Sequence, residues 1–169
     1  YCTNLREVVL SDGLMKIEYD IFRGCSSLQS ITIPSTVTEI GERAFSSCSN
    51  LRDVVLHDGI KKIGRGAFYN CTSLTSITFP SMIEIGDSAF RDCIELREIV
   101  LHNEGLQIGL QIGETSFVGC TSLQRFKFPS LFTRLDNIIQ AGQRDIEAKM
   151  DDIPAVEWRS GELVIPTVS

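Results

Sequence analysis

The chain has 169 residues, 43% of them apolar and 22% charged, a composition that suits a folded protein and excludes wholesale disorder. Sixteen Lys and Arg against 22 Asp and Glu leave a net charge of −6, the wrong sign for a general nucleic-acid binder. No apolar run approaches the ~20 residues that a membrane-crossing helix needs, so no membrane span is expected.

Cysteine sets a period along the chain. It stands at positions 2, 25, 48, 71, 93 and 120, at intervals of 23, 23, 23, 22 and 27 residues, which marks a repeat architecture. Each cysteine is followed three residues later by leucine and an alternating apolar segment. Leu5-Arg6-Glu7-Val8-Val9-Leu10 comes first, then Leu28-Gln-Ser-Ile31-Thr-Ile33-Pro34, then Leu51-Arg-Asp-Val54-Val-Leu56. Leu74-Thr-Ser-Ile77-Thr-Phe79-Pro80, Leu96-Arg-Glu-Ile99-Val-Leu101 and Leu123-Gln-Arg-Phe126-Lys-Phe128-Pro129 complete the series. The alternation predicts short strands that stack in parallel, about 4.8 Å apart, with Ile31 and Ile33 on one face. Proline or Asp-Gly then turns the chain away.

Ile-Gly-x-x-Ala-Phe-x-x-Cys closes the coils, at Ile40-Gly41, Ile63-Gly64 and Ile85-Gly86. Here Ile-Gly reads as a second turn, and Ala-Phe-x-x-Cys as a helical turn whose phenylalanine plugs the opposite wall. The first coil departs from the pattern, with no glycine after Ile17. The 27-residue interval contains Leu106-Gln-Ile-Gly109 and Leu110-Gln-Ile-Gly113, four residues written twice and read as a projecting turn. A single 23-residue coil cannot bury its own apolar face, so stability must come from stacking on neighbours.

These residues resemble the BspA-like class of leucine-rich repeats, over residues 2–129. The resemblance implies an α/β repeat solenoid, a leucine-rich-repeat superhelix. Its parallel β-sheet would line the concave face, with short turns or 3-10 helices on the convex face. It also implies a protein built to bind other macromolecules rather than to catalyse a reaction. Tyr1-Cys2 begins where an earlier Ala-Phe-x-x-Cys would end, so further coils upstream are expected.

Residues 1–130 form the expected solenoid and 131–169 a C-terminal cap of helix and hairpin. Leu131, Leu135, Ile138, Ile139, Ile146 and Met150 fall on one helical stripe, which Gly142 shares and Pro154 stops. Val156-Glu-Trp-Arg159, Ser160-Gly161 and Glu162-Leu-Val-Ile165 read as a two-residue hairpin that sets Trp158 opposite Leu163 and Arg159 opposite Glu162. This segment also resembles the closing stretch of some algal leucine-rich-repeat proteins. A docking element for a partner is the competing reading.

All six cysteines share one slot, so they read as buried filling; a disulfide between stacked thiols is the alternative. No CxxC occurs, and His57 and His102 lack a third ligand, so neither a metal nor a cofactor is expected. Asn70-Cys71-Thr72 fits the glycosylation sequon but places a buried residue at its centre. No residue set suits catalysis. Binding candidates are the outward positions of the strands: Arg6, Arg52 and Arg97 in one column, and Val9, Thr32, Val55, Thr78 and Val100 in another. Asp53 and Glu98 are expected to pair with the arginines beside them, while Arg43 and Arg65 lie on the opposite wall. The expected partner is another protein or a surface glycan, with a scaffolding subunit of a larger assembly as the alternative role.

Overall fold

The computed structural model describes residues 2–80, 83–101 and 111–125, together with the backbone of 126–127, 157–159 and 162–164. Its strands, in chain order, are β1 (Lys16–Ile17), β2 (Ser30–Thr32), β3 (Glu39–Ile40), β4 (Asp53–Val55), β5 (Lys62–Ile63) and β6 (Ser76–Phe79). They continue as β7 (Glu84–Ile85), β8 (Glu98–Leu101), β9 (Gln111–Ile112), β10 (Arg125–Lys127), β11 (Glu157–Arg159) and β12 (Glu162–Val164).

The even strands to β10 are the segments that the alternation predicts, and they stack in register. Ile31 lies beside Val54, and Ile77 beside Ile99, which in turn lies beside Phe126. The wall has two parts, β2–β4 and β6–β8–β10. The segment 5–10, expected to be the first strand of this wall, makes no ladder with β2 among the described residues.

A second parallel sheet, β1-β3-β5-β7-β9, is formed by residue pairs that end at Ile17 in the first coil and at the isoleucine of Ile-Gly in the later ones. This point, expected from the sequence to be a turn, ends a strand instead. The isoleucine points inward, so Ile17, Ile40, Ile63 and Ile85 are all buried, while the charged residue before each faces out. The following glycine permits the stacking. A Cβ on Gly41 would lie 2.7 Å from the Ile17 carbonyl oxygen, and one on Gly64 would lie 2.7 Å from the Glu42 nitrogen. Of the doubled Gln-Ile-Gly, the ladder takes the second copy, Gln111–Ile112, against Glu84–Ile85. The reason is spacing: Gly113 stands four residues before Phe117, as Gly86 does before Phe90. The first copy lies outside the described residues.

On the third wall, of the expected short turns or 3-10 helices, the described residues take the turns. Among the described residues Ala-Phe-x-x-Cys forms no helix of any kind, only linked turns. Left-handed residues recur four apart, Arg43 (φ 54°) with Ser47 (61°), and Ser88 (56°) with Asp92 (60°), and such residues break a right-handed helix. The freed amides divide their hydrogen bonds. The Phe45 N–H donates to the Ala67 carbonyl at 2.8 Å in the next coil, whereas the Cys48 N–H donates within its own coil to Phe45 at 3.2 Å. Phe22→Ala44, Phe68→Ala89 and Phe90→Ser116 repeat the inter-coil bond at 2.7–2.8 Å.

The core runs between the walls as parallel columns. Phe22, Phe45, Phe68, Phe90 and Phe117 stack ring on ring at 5.2, 5.3, 5.2 and 5.4 Å. Leu28, Leu51, Leu74 and Leu96 form a second fully buried column. Ser116 replaces alanine in the last of these turns, and its buried hydroxyl has the Gly113 carbonyl at 2.6 Å and the Gly86 carbonyl at 3.0 Å as acceptors for its single proton.

At the end of the stack β12 runs antiparallel to β10, and β11 antiparallel to β12. Trp158 stands opposite Leu163, and Arg159 opposite Glu162, in the register read from the sequence. The expected helix over 131–150 lies outside the described residues, as do Val156 and Ile165.

Candidate sheet-face interface

Strand alternation positions the candidate surface. Within β4, Val54 points into the core, so Asp53 and Val55 face solvent; β2 and β6 repeat the pattern. Parallel register then sets Thr32 beside Val55, and Thr78 beside Val100. Arg52, Thr32, Val55, Thr78 and Arg97 are exposed, and Val100 is half-buried. Val55, the last residue of β4, is 54% exposed, a high value for an aliphatic residue in a sheet. Arg6 and Val9 are exposed as well, but they sit on the segment that joins no ladder, so the column is continuous only from the second coil onward.

The expected ion pairing is corrected at one site. Arg97 reaches Glu95, two residues before it, with Nη2 at 3.3 Å from the carboxylate. Both side chains are at least half exposed, so the pair adds little to stability. Asp53 stands beside Ser30, and Glu98 beside Ser76 and Arg125.

Opposite, the second sheet carries an outward column that the sequence reading missed. Lys16, Glu39, Lys62, Glu84 and Gln111 stand in register, one per coil. Lys16 reaches Glu39 at 3.2 Å and Lys62 reaches Glu84 at 2.9 Å, and the hydrogen bond that Lys62 donates to the Glu84 carboxylate raises the Lys62 pKa above its ordinary value. The signal was present in the sequence, as the residue before Ile17 and before the isoleucine of each later Ile-Gly. These charges satisfy one another, which leaves fewer of them for a ligand.

Arg43 is tied in too firmly to be a neutral position on the turn wall. Its guanidinium donates to the Tyr19 hydroxyl at 3.0 Å, lies 5.1 Å from the centre of the Tyr19 ring, and reaches Glu42 at 3.3 Å and Asp20 at 3.7 Å. Arg65 is exposed.

The cysteines are free thiols, five buried and one, Cys2, exposed, which corrects the expectation that all six are buried. They are more than filling. Each thiol from Cys48 onward donates to a phenylalanine carbonyl of the preceding coil: Cys48 to Phe22, Cys71 to Phe45, Cys93 to Phe68 and Cys120 to Phe90, at 3.1–3.2 Å. Burial pushes the Cys48 pKa up to about 12 and that of Cys71 well above its ordinary value. Hydrogen bonding with Cys120, and then burial, raises that of Cys93. Thiols held protonated are poor nucleophiles and poor metal ligands. Among the described residues no group of three or more His, Cys, Asp or Glu is placed to hold a metal ion. Nor do those residues contain a helix long and apolar enough to cross a membrane. Asn70 has a left-handed backbone (φ 57°) next to the fully buried Cys71, a poor setting for the sequon.

Comparison with known proteins agrees with this architecture. No curated protein matches the chain. Among solved structures, a leucine-rich-repeat protein of T. pallidum shares 35% identity over 71% of this chain and 56% of its own, with a TM-score of 0.63. A leucine-rich cell surface protein of Faecalibacterium prausnitzii A2-165 shares 32% identity over 69% of this chain and 30% of its own, with a TM-score of 0.61. The chain thus spans little more than half of the first relative's length and less than a third of the second's. The profile of the BspA-type leucine-rich-repeat region matches in six copies, over residues 1–111 and 106–142. Proteins built from such repeats are generally interaction or surface modules and typically have no enzymatic activity. With repeats matched over most of its length, this chain belongs to the BspA-type leucine-rich-repeat family.

Proposed function

We propose that the protein is a non-enzymatic binding module that holds another protein, or a surface glycan, along the outer face of its even-numbered strands. The observation that carries this reading is the outward β-branched row Thr32–Val55 and Thr78–Val100, exposed except at the half-buried Val100, set in register and flanked by Arg52 and Arg97. A row of this kind offers apolar contact at fixed spacing. Arginine adds a planar fork that binds carboxylates in pairs and stacks on flat groups. The second sheet is the weaker candidate because its outward charges already pair from coil to coil.

Affinity capture from the source organism, with wild-type chain as bait, identifies the ligand, and its affinity is then measured for two variants. Arg52→Glu with Arg97→Glu weakens binding at least tenfold, about 1.4 kcal/mol, with the melting temperature nearly unchanged. Arg65→Glu on the turn wall leaves binding intact. The reverse result places the working surface on the turns and refutes the sheet-face reading.

A further inference from the structure

The hairpin leaves one strand edge open. In the sheet β11-β12-β10-β8-β6, β11 is the outermost strand, and among the described residues no strand pairs with its far side. Open edges are templates for a further strand unless a proline, a bulge or a charge protects them. Glu157–Arg159 has neither proline nor bulge: its three residues keep unbroken register with β12. It does carry two charges, and their order selects what can join it.

Ladder geometry fixes which backbone groups the edge presents. Only two residues separate Arg159 from Glu162, so these two exchange the hydrogen bonds that close the hairpin. Antiparallel pairs alternate, which makes Trp158 and Leu163 a non-hydrogen-bonded pair. The Trp158 N–H and C=O therefore point away from β12, while those of Leu163 turn toward Phe126 on β10. One donor and one acceptor thus stand at the middle of the open edge, on the same residue.

That arrangement complements itself. When two β11 strands run antiparallel about Trp158, each Trp158 N–H meets the other's C=O, and a twofold axis passes between them. The same register sets Glu157 opposite Arg159 of the second copy, and Arg159 opposite its Glu157, so opposite charges face at both ends. Local complementarity of this kind is needed in a chain of net charge −6, whose copies repel at long range.

We infer that β11 is a homodimer edge: a second copy of this chain pairs with it antiparallel, centred on Trp158, and joins the two five-stranded sheets into one. This contact is separate from the β-branched row and does not depend on the ligand bound there.

Sedimentation of the full chain tests it, over roughly 10 μM to 1 mM because so short a ladder gives a weak dimer. The wild type should pass from monomer to dimer as concentration rises. Glu157→Arg should weaken dimerisation at least tenfold by setting arginine opposite arginine, and since Glu157 pairs with Val164 in the hairpin it spares the Arg159–Glu162 pair. Arg159→Glu should weaken it as much by setting acid opposite acid. An equimolar mixture of the two variants should dimerise again, because each then faces its opposite. Hydrogen exchange at the Trp158 amide gives a second reading, protected in the wild-type dimer and at least tenfold less so in Glu157→Arg. A wild type that stays monomeric overturns the inference, as does a dimer that neither variant weakens. So does a Trp158 amide equally protected in monomer and dimer, since this chain's own residues would then hold the edge.

Discussion

The thiol of Cys71 donates to the carbonyl oxygen of Phe45 at 3.2 Å, across the boundary between two coils. That oxygen already accepts the N–H of Cys48 from its own coil. One carbonyl thus joins a turn to the coil stacked on it. The arrangement explains why a small residue with a weak donor suits this slot: it fills apolar space and engages the lone pair that a carbonyl in a turn leaves over.

Thiol labelling should divide the cysteines five to one. Cys2 is exposed and should react at once with a soluble disulfide reagent, whereas the other five, buried and held protonated where their pKa is raised, wait for unfolding. Titration of the denatured, unreduced chain should then find six thiols. Two or fewer would establish disulfides and overturn the free-thiol column.

Alkaline pH should unfold the protein through the same column. Below about pH 9 the Cys48 thiol is protonated in both the folded and the unfolded chain, so its contribution does not vary with pH. Above that, the unfolded chain releases the proton while the folded one keeps it up to about pH 12, and stability falls as pH rises. Cys48→Ser retains a donor without this titration. Its melting temperature should decline less steeply between pH 9 and 11 than that of the wild type, and equal slopes would refute the linkage.

Close approach of the coils makes Gly64 intolerant of a side chain. The added Cβ meets backbone atoms of Glu42 and Gly41 at 2.7–3.0 Å, and backbone there cannot move without disturbing both sheets. Gly64→Ala should cost about 1–3 kcal/mol or more, read from urea unfolding. Glu18, exposed in the same slot of the first coil, should accept alanine with a change under about 0.5 kcal/mol.

Leu74→Ala tests the buried leucine column. The side chain is fully enclosed mid-stack, so truncation removes burial and leaves a cavity, at a cost of about 2–5 kcal/mol. Because each coil is stabilised by its neighbours, the loss should broaden the unfolding transition and not act only on one repeat. A shift below about 1 kcal/mol would mean that the coils collapse readily onto the gap.

Much of this protein was legible in the sequence because a repeat states each structural requirement several times over. The six cysteines set the coil length, the alternation at Ile31 and Ile33 set the inner and outer faces of one wall, and Arg159 and Glu162 set the hairpin register. The outward direction of Arg52, Thr32, Val55, Thr78 and Arg97 followed from that same alternation. Tertiary structure decided what depends on contacts between coils. Two residues before each glycine are too few to announce a strand, and β3 exists because β1 and β5 lie on either side of it. Ala-Phe-x-x-Cys has the spacing of a helical turn, but its amides find better-placed carbonyls in the next coil, which the left-handed residues turn them toward. That Arg97 pairs with Glu95 was likewise visible only on the folded surface. Sequence order lists what each coil contains; only stacking brings residue 45 against residue 71, where the hydrogen bond between them can form.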